Sequence, residues 1–227
     1  MTDKIRLFYT ITQDSIILFS LICSIIFWKN IRHSYLKNFP FYTAFSIIVA
    51  LTWYIKSVHF IGRTCQNVFV AFEFFTFYNF YLHVFRDNKI YKIILNILIV
   101  IFATAQIIIP IALYCNANKA SATVALLNNV FTELIVIENI LIAVPALIYY
   151  RSLFFPPFIN NLSTNYIFLA MSGILFCFAI SIPVFLFQRI LLPQNKQLYM
   201  SVYMINSFGY ITMHLFFIRA YLNIRNV

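Results

Sequence analysis

The stretch FEFFTFYNFYLHVF, residues 72–85, sets a single carboxylate, Glu73, among aromatic and aliphatic side chains. A carboxylate is costly in such surroundings unless something compensates it, so it marks a candidate site. On a helix, Gln66, Phe69, Glu73, Thr76, Phe80 and His83 recur at steps of three and four and share one stripe. Lipid is a poor neighbour for that stripe, which predicts that it faces the interior of a helix bundle. A second polar stretch, LLNNVFTELIVIENI, places Asn128, Thr132 and Asn139 on one face, with Asn129 and Glu133 beside it and Glu138 directed elsewhere. A third, near the C-terminal end, aligns Tyr203, Ser207, Tyr210 and His214, with Asn206 adjacent.

Carboxylates, amides and phenols in this combination can bind a small polar ligand, hold a cation or pass protons. If the three helices run in one direction, Glu73, Glu133, Tyr203 and Asn206 lie at similar depth. Together with Thr76, Asn128, Asn129 and Tyr210 they would line a polar cavity opening to the outer side. Arg189, near the outer end of another apolar segment, is a candidate ion-pair partner for Glu133 or Glu73. The same groups can equally act as internal glue, worth about 0.6 kcal/mol per pair in a membrane bundle.

Known catalytic constellations find little support. Neither H-E-x-x-H nor H-x-x-x-H nor a paired-glutamate motif occurs, so neither a metal nor another cofactor is expected. Ser172 and His214 imitate a serine–histidine dyad, but the serine in AMSGIL lacks a G-x-S setting. A retinal Schiff base needs a lysine within the last helix, and that segment has none below Lys196 at its mouth. The chain is expected not to be an enzyme.

The elements that must position these residues follow from composition. Of 227 residues 63% are hydrophobic and 10% charged, against about 25% charged in a soluble domain. The solvent for such a surface is lipid. Seven apolar segments run over about 12–28, 40–56, 66–85, 91–115, 123–150, 164–192 and 198–221, each long enough for the ~17–25 residues that cross a bilayer. The reading is an all-α fold: a polytopic membrane helix bundle of seven transmembrane helices with short loops, forming a single transmembrane domain over 1–227. The first segment runs into WKNIRHSYLKNF with no small-residue cleavage site, and is expected to be a retained helix.

Sixteen Lys and Arg stand against six acids, mostly in short segments beside apolar runs. Nucleic-acid binding is not expected, because no basic arm or domain carries it. Lys29, Arg32 and Lys37, then Arg86, Lys89 and Lys92, cluster in the first two loops of one side. Arg151, Arg219 and Arg225 join them, against Lys4, Arg6, Lys56, Arg63, Lys119, Arg189 and Lys196 on the other side. This favours the N-terminus outside and the C-terminus in the cytoplasm of a cell (inner) membrane. Trp28 before Lys29, and Tyr149 and Tyr150 before Arg151, fit interfacial anchoring.

Only three glycines occur, none in G-x-x-x-G, so close glycine-mediated crossings are not the expected packing device. Pro110, Pro145 and Pro183 lie within segments and are candidate kinks. Cys23 and Cys177 read as small apolar side chains, whereas Cys65 and Cys115 fall at one membrane surface, where a disulfide between them is a candidate. With the layout, the third-span NVFVAFEFF and the closing YMINSFGYITMHLFF, the chain resembles the small stand-alone seven-helix integral membrane proteins of Bacteroidota. That resemblance implies the fold and carries over no functional residue.

Three functions are compatible with these residues. The first is a receptor-like or signalling protein that binds a small-molecule ligand and acts through a protein partner or a second copy. The second is a carrier or channel for a cation or protons using Glu73 and Glu133. The third is a structural membrane subunit of a larger complex. Scarce glycine and the lack of an unwound-helix signature weigh against transport, and the receptor-like reading is preferred at this point.

Overall fold

The computed structural model describes residues 2–54, 59–116, 123–154, 162–194 and 196–224, and among them the chain is all-helical with no strand. The α-helices are α1 (Thr2–Ile26), a single turn α2 (Trp28–Ile31), α3 (Phe39–Tyr54), α4 (His59–Val84), α5 (Lys89–Asn116), α6 (Thr123–Leu153), α7 (Tyr166–Gln194) and α8 (Lys196–Asn223). A 3₁₀ turn, Leu162–Thr164, precedes α7. Local chemistry sets several starts. Asn88 Oδ1 accepts from the backbone N–H groups of Ile90 and Tyr91 at 3.0 and 3.2 Å, capping α5. Asn165 does the same for α7 through Ile167 and Phe168, both at 3.0 Å.

Among the described residues four helices are long and apolar enough to cross a membrane: Leu7–Ile26, Lys89–Ile111, Thr132–Leu153 and Tyr166–Phe187. The apolar helix Phe39–Thr52 is shorter. The remaining two long helices interrupt their apolar runs with Glu73, Asn79 and His83 in α4 and with Asn206, His214 and Arg219 in α8.

Packing closes a ring in the order α1, α3, α4, α6, α7, α8 and back to α1. Helix α5 stands outside the ring, laid against α4 and α6. It is held there by Phe102, whose ring stacks on Phe74 at 3.9 Å, and by Tyr78, which donates to Asn96 Oδ1 at 2.9 Å. Only 11% of its apolar window is buried, against 56% for α6, so α5 is the rim helix and α6 a central one.

Helix directions follow from matched levels. Glu73 of α4 lies level with Glu138 of α6, and further along both helices Tyr81 bonds the Ile142 carbonyl, so these two run parallel. Phe39 and Tyr42 of α3 meet Phe217 and His214 of α8 in reverse order, so those two run antiparallel. Lys29, Arg32, Lys37, Arg86, Lys89, Lys92, Arg151 and Arg219 are all exposed toward one end of the ring, here termed the Arg86 face. The opposite end is the Cys65 face.

Glycine does serve as a packing device, contrary to the expectation from the missing motif. A Cβ on Gly173 of α7 would lie 2.8 Å from Phe216 Cβ and 3.1 Å from the Met213 carbonyl oxygen of α8. Gly209 of α8 faces the Cys177 backbone, where a Cβ would sit at an ordinary 3.5 Å. Pro110 and Pro145 lie within continuous helices, as the sequence indicated. One residue past Leu141, whose carbonyl Pro145 leaves without its helical donor, the Ile142 carbonyl accepts an interhelical bond from Tyr81 Oη at 2.8 Å.

Candidate functional site

Ring closure brings five helices onto one buried point. Glu73 of α4 is 1% exposed and Glu138 of α6 is fully buried. The two carboxyl groups lie within electrostatic reach of one another. Tyr42 of α3 donates its hydroxyl to Glu73 Oε1 at 2.7 Å. Its ring stacks on His214 of α8 with centroids 6.2 Å apart and planes 6° from parallel. The Cys177 thiol of α7 and the Tyr210 phenol of α8 complete the surroundings, the thiol near Glu73 and the phenol near Tyr42.

Hydrogen bonding within this cluster is uneven. Neither oxygen of Glu138 has a partner, nor do the amide atoms of Asn139 or the ring nitrogens of His214. Among the described residues no Lys or Arg side chain lies against either acid. Buried polar groups are ordinarily satisfied, and an uncompensated buried ion costs several kcal/mol. Two carboxyls sharing a dry site without a cation therefore need a proton or another positive charge between them.

The sequence-derived candidates distribute as follows. Glu73 is at the centre, and Tyr210 reaches it through Tyr42. Asn206 is buried and accepts from Ser181 of α7. Thr76 is buried but bonds its own helix at the Phe72 carbonyl, 2.9 Å away. Glu133 is half-buried, and Glu138, which periodicity had directed elsewhere, is the acid that meets Glu73. The side chains of Asn128, Asn129, Tyr203, Arg189 and Cys115 lie outside the described residues, and with them the Arg189 ion pair and the Cys65–Cys115 disulfide. Cys65 itself is a free, half-buried thiol. Ser172 bonds Tyr150 and the Phe168 carbonyl, while His214 bonds nothing, so the two form no dyad.

Tyr42, Glu138, Cys177 and Ser181 were missed as site residues. The buried positions of α6 run almost around the helix, from Leu134 and Ile135 through Glu138 and Asn139 to Leu141, Ile142 and Ala143. A helix enclosed by three neighbours has no single interior stripe, so periodicity could not choose between Glu133 and Glu138. Tyr42 carried a fainter signal, lying with Phe39, Ser46 and Val49 on one face of α3.

Two cavities lie among the described residues away from the acids. One is a void of about 10 Å³ between α4, α5 and α6, room for at most a single water. The other is an open groove of about 530 Å³ lined by Tyr150, Ser172, Leu175, Phe176, Ala179, Ile180 and Phe216. No group of three His, Cys, Asp or Glu residues placed to hold a metal ion occurs among the described residues. No protein-family model, curated protein or solved structure matches the chain. Fold and site thus define the class on their own: an all-helical protein with helices apolar enough to cross a membrane and a closed, acidic polar cluster among them.

Proposed function

We propose that the protein is a seven-span membrane protein whose working element is the Glu73–Glu138 pair, and that the pair takes up and releases a proton in a carrier or channel cycle. The seven spans are α1 and α3 to α8. An odd number of crossings is supported by the parallel course of α1 and α8, in which Ser20 and Cys23 lie level with Tyr221.

The observation that carries the reading is the pair itself: two buried carboxyls in electrostatic reach, with no cationic partner among the described residues. Tyr42 donates to Glu73 at 2.7 Å, whereas Glu138 has only the Phe74 backbone N–H near it and no hydrogen bond of normal geometry, so a shared proton belongs on Glu138 and the charge on Glu73. A purely structural role gives no reason for this arrangement, since apolar side chains usually hold a buried site at least as well as uncompensated ions. The receptor-like reading needs room for a ligand, roughly 300–1,000 Å³ for a drug-sized molecule, and among the described residues neither the small void nor the open groove is lined by the acids.

The test is proton flux into proteoliposomes reported by a trapped pH-sensitive dye, with infrared detection of the acid carboxyl stretch. Flux lost in both Glu73→Gln and Glu138→Gln, with the stretch diminished in Glu138→Gln, is the expected result. A folded wild-type protein with no flux and no acid carboxyl band would move the reading to structural glue, for which Tyr42–Glu73 and Ser181–Asn206 are already interhelical bonds.

A further inference from the structure

The open groove of about 530 Å³ lies along the outer surface of α7. Phe176 and Ala179, which line it, are exposed, whereas Cys177 and Phe178 between them are buried. The groove is therefore turned away from the ring interior, toward hydrocarbon in a spanning chain. Two small side chains open it. Ser172 and Ala179 stand two turns apart on one face of α7, beside the larger Phe176 and Ile180, and α8 contributes Phe216. From Ser172 to Ile180 the groove follows α7 for about 12 Å at 1.5 Å per residue.

Its polarity is graded. The two hydroxyls of the lining, Tyr150 and Ser172, bond each other at the end nearer the Arg86 face, where α6 finishes and α7 begins. Beyond them, as far as Ile180, the lining is apolar. Two arginines stand at the polar end. Arg151 follows Tyr150 directly and is exposed. On α8, Phe208, Thr212, Phe216 and Arg219 share one face, and the Phe208 ring meets Phe176 of the groove with centroids 6.0 Å apart. Arg219 is thus on the groove side of α8, one turn nearer the Arg86 face than Phe216, and it is exposed. Neither arginine makes an ion pair among the described residues. The segments joining helices at that end hold a single acid, Asp87, which adjoins Arg86.

We infer that this groove is a lipid site: it holds one acyl chain of an anionic phospholipid from the leaflet at the Arg86 face, with the phosphate on Arg151 and Arg219. The inference goes beyond proton uptake and rests only on the membrane-spanning part of the reading above. An apolar groove open to hydrocarbon takes a chain, and guanidinium forks reaching for the interface take phosphate oxygens. A choline headgroup would add its own cation beside two others, so the site favours a headgroup of net negative charge. The hydroxyls do not set this preference. Ser172 donates to the Phe168 carbonyl at 2.7 Å, which leaves Tyr150 as the donor to Ser172, so neither proton is free for the lipid. Selectivity therefore falls to the two arginines, at about fivefold each for basic residues beside an anionic lipid surface.

The experiment is native mass spectrometry of the protein released from nanodiscs of dioleoyl phosphatidylglycerol and dioleoyl phosphatidylcholine in equal amounts, lipids with the same chains and different charge. One phosphatidylglycerol should be retained about 25-fold over phosphatidylcholine. Arg151→Gln and Arg219→Gln should each lower that preference about fivefold and together erase it. Lys89→Gln with Lys92→Gln removes equal charge from α5 at the same face and should leave it within about twofold. Ala179→Phe fills the groove from an exposed position and should reduce retention of both lipids about tenfold. The arginine variants, on the surface, keep the proposal testable if Ala179→Phe fails to fold. Equal retention of the two lipids, or the same loss in the α5 variant, would overturn the site in favour of diffuse surface charge. Undiminished retention in folded Ala179→Phe would overturn chain binding in the groove, and a dimer broken by Ala179→Phe would assign the groove to a second copy instead. A chain that does not enter nanodiscs would overturn the membrane reading and the lipid site together, whereas absent proton flux would overturn only the former proposal.

Discussion

The Tyr42–Glu73 bond can report which of the two acids carries charge. Tyr42→Phe removes one hydroxyl and keeps the ring that stacks on His214, so the 2.7 Å bond to Glu73 is the interaction lost. A hydrogen bond to a neutral acceptor contributes about 0.5–1.5 kcal/mol, and one to a charged acceptor about 1.5–3 kcal/mol. Glu73→Gln offers Tyr42 a neutral carbonyl of almost the same shape. If Glu73 is a carboxylate, Tyr42→Phe should therefore cost about 1 kcal/mol more in the wild-type background than in the Gln background.

The assay is a double-mutant cycle by reversible denaturant unfolding of the four proteins in one lipid–detergent mixture. Both side chains are almost fully buried, so the difference is not diluted by solvent. A coupling below about 0.3 kcal/mol, the scatter expected of independent sites, would show that Glu73 is neutral. The division of roles between Glu73 and Glu138 would then be refuted.

Glu138→Leu should leave stability unchanged or raise it, because it removes a buried carboxyl with no hydrogen-bond partner, yet abolish flux; parallel unfolding and flux measurements separate the two effects. Gly173→Ala should destabilise by about 1–3 kcal/mol, since its Cβ would press on Phe216 Cβ and the Met213 backbone of α8. Gly209→Ala, with 3.5 Å to its nearest atom, should be neutral or stabilising by up to about 1 kcal/mol in the same unfolding assay. Tyr81→Phe should cost about 0.5–1.5 kcal/mol, as it removes the interhelical bond to the Ile142 carbonyl while that carbonyl keeps its helical donor; a cost under about 0.3 kcal/mol would show that the bond contributes nothing net.

Helical class was legible in the sequence because apolar runs of the right length admit few other structures. Glu73 was legible as an interior residue because its stripe pairs it with Thr76 and Phe80, and all three are buried. Its true partners were not, because they come from chain segments 31 residues before it and 65 residues after it, and no local pattern encodes that meeting. Tyr42 in particular looks like any interfacial tyrosine near the start of a span until α3 is set antiparallel to α4 and level with Phe69 and Phe77.

Hydropathy does not by itself decide which helices lie inside. The apolar stretches of α5 and α7 are nearly equally hydrophobic, yet 11% of one and 50% of the other is buried. The difference lies in side-chain size. Helix α7 carries Ala170, Gly173, Cys177 and Ser181 at steps of three and four, a stripe of small residues that admits the backbone of α8. Helix α5 turns Ile93, Ile97, Val100, Ile107 and Ile111 outward, a branched surface suited to lipid. The stripe on α7 also brings α8 near enough for Ser181 to bond Asn206 and sets the Cys177 thiol beside Glu73. Enlarging any member of that stripe should therefore disturb the packing of α7 on α8, whereas enlarging residues on the outer face of α5 should not.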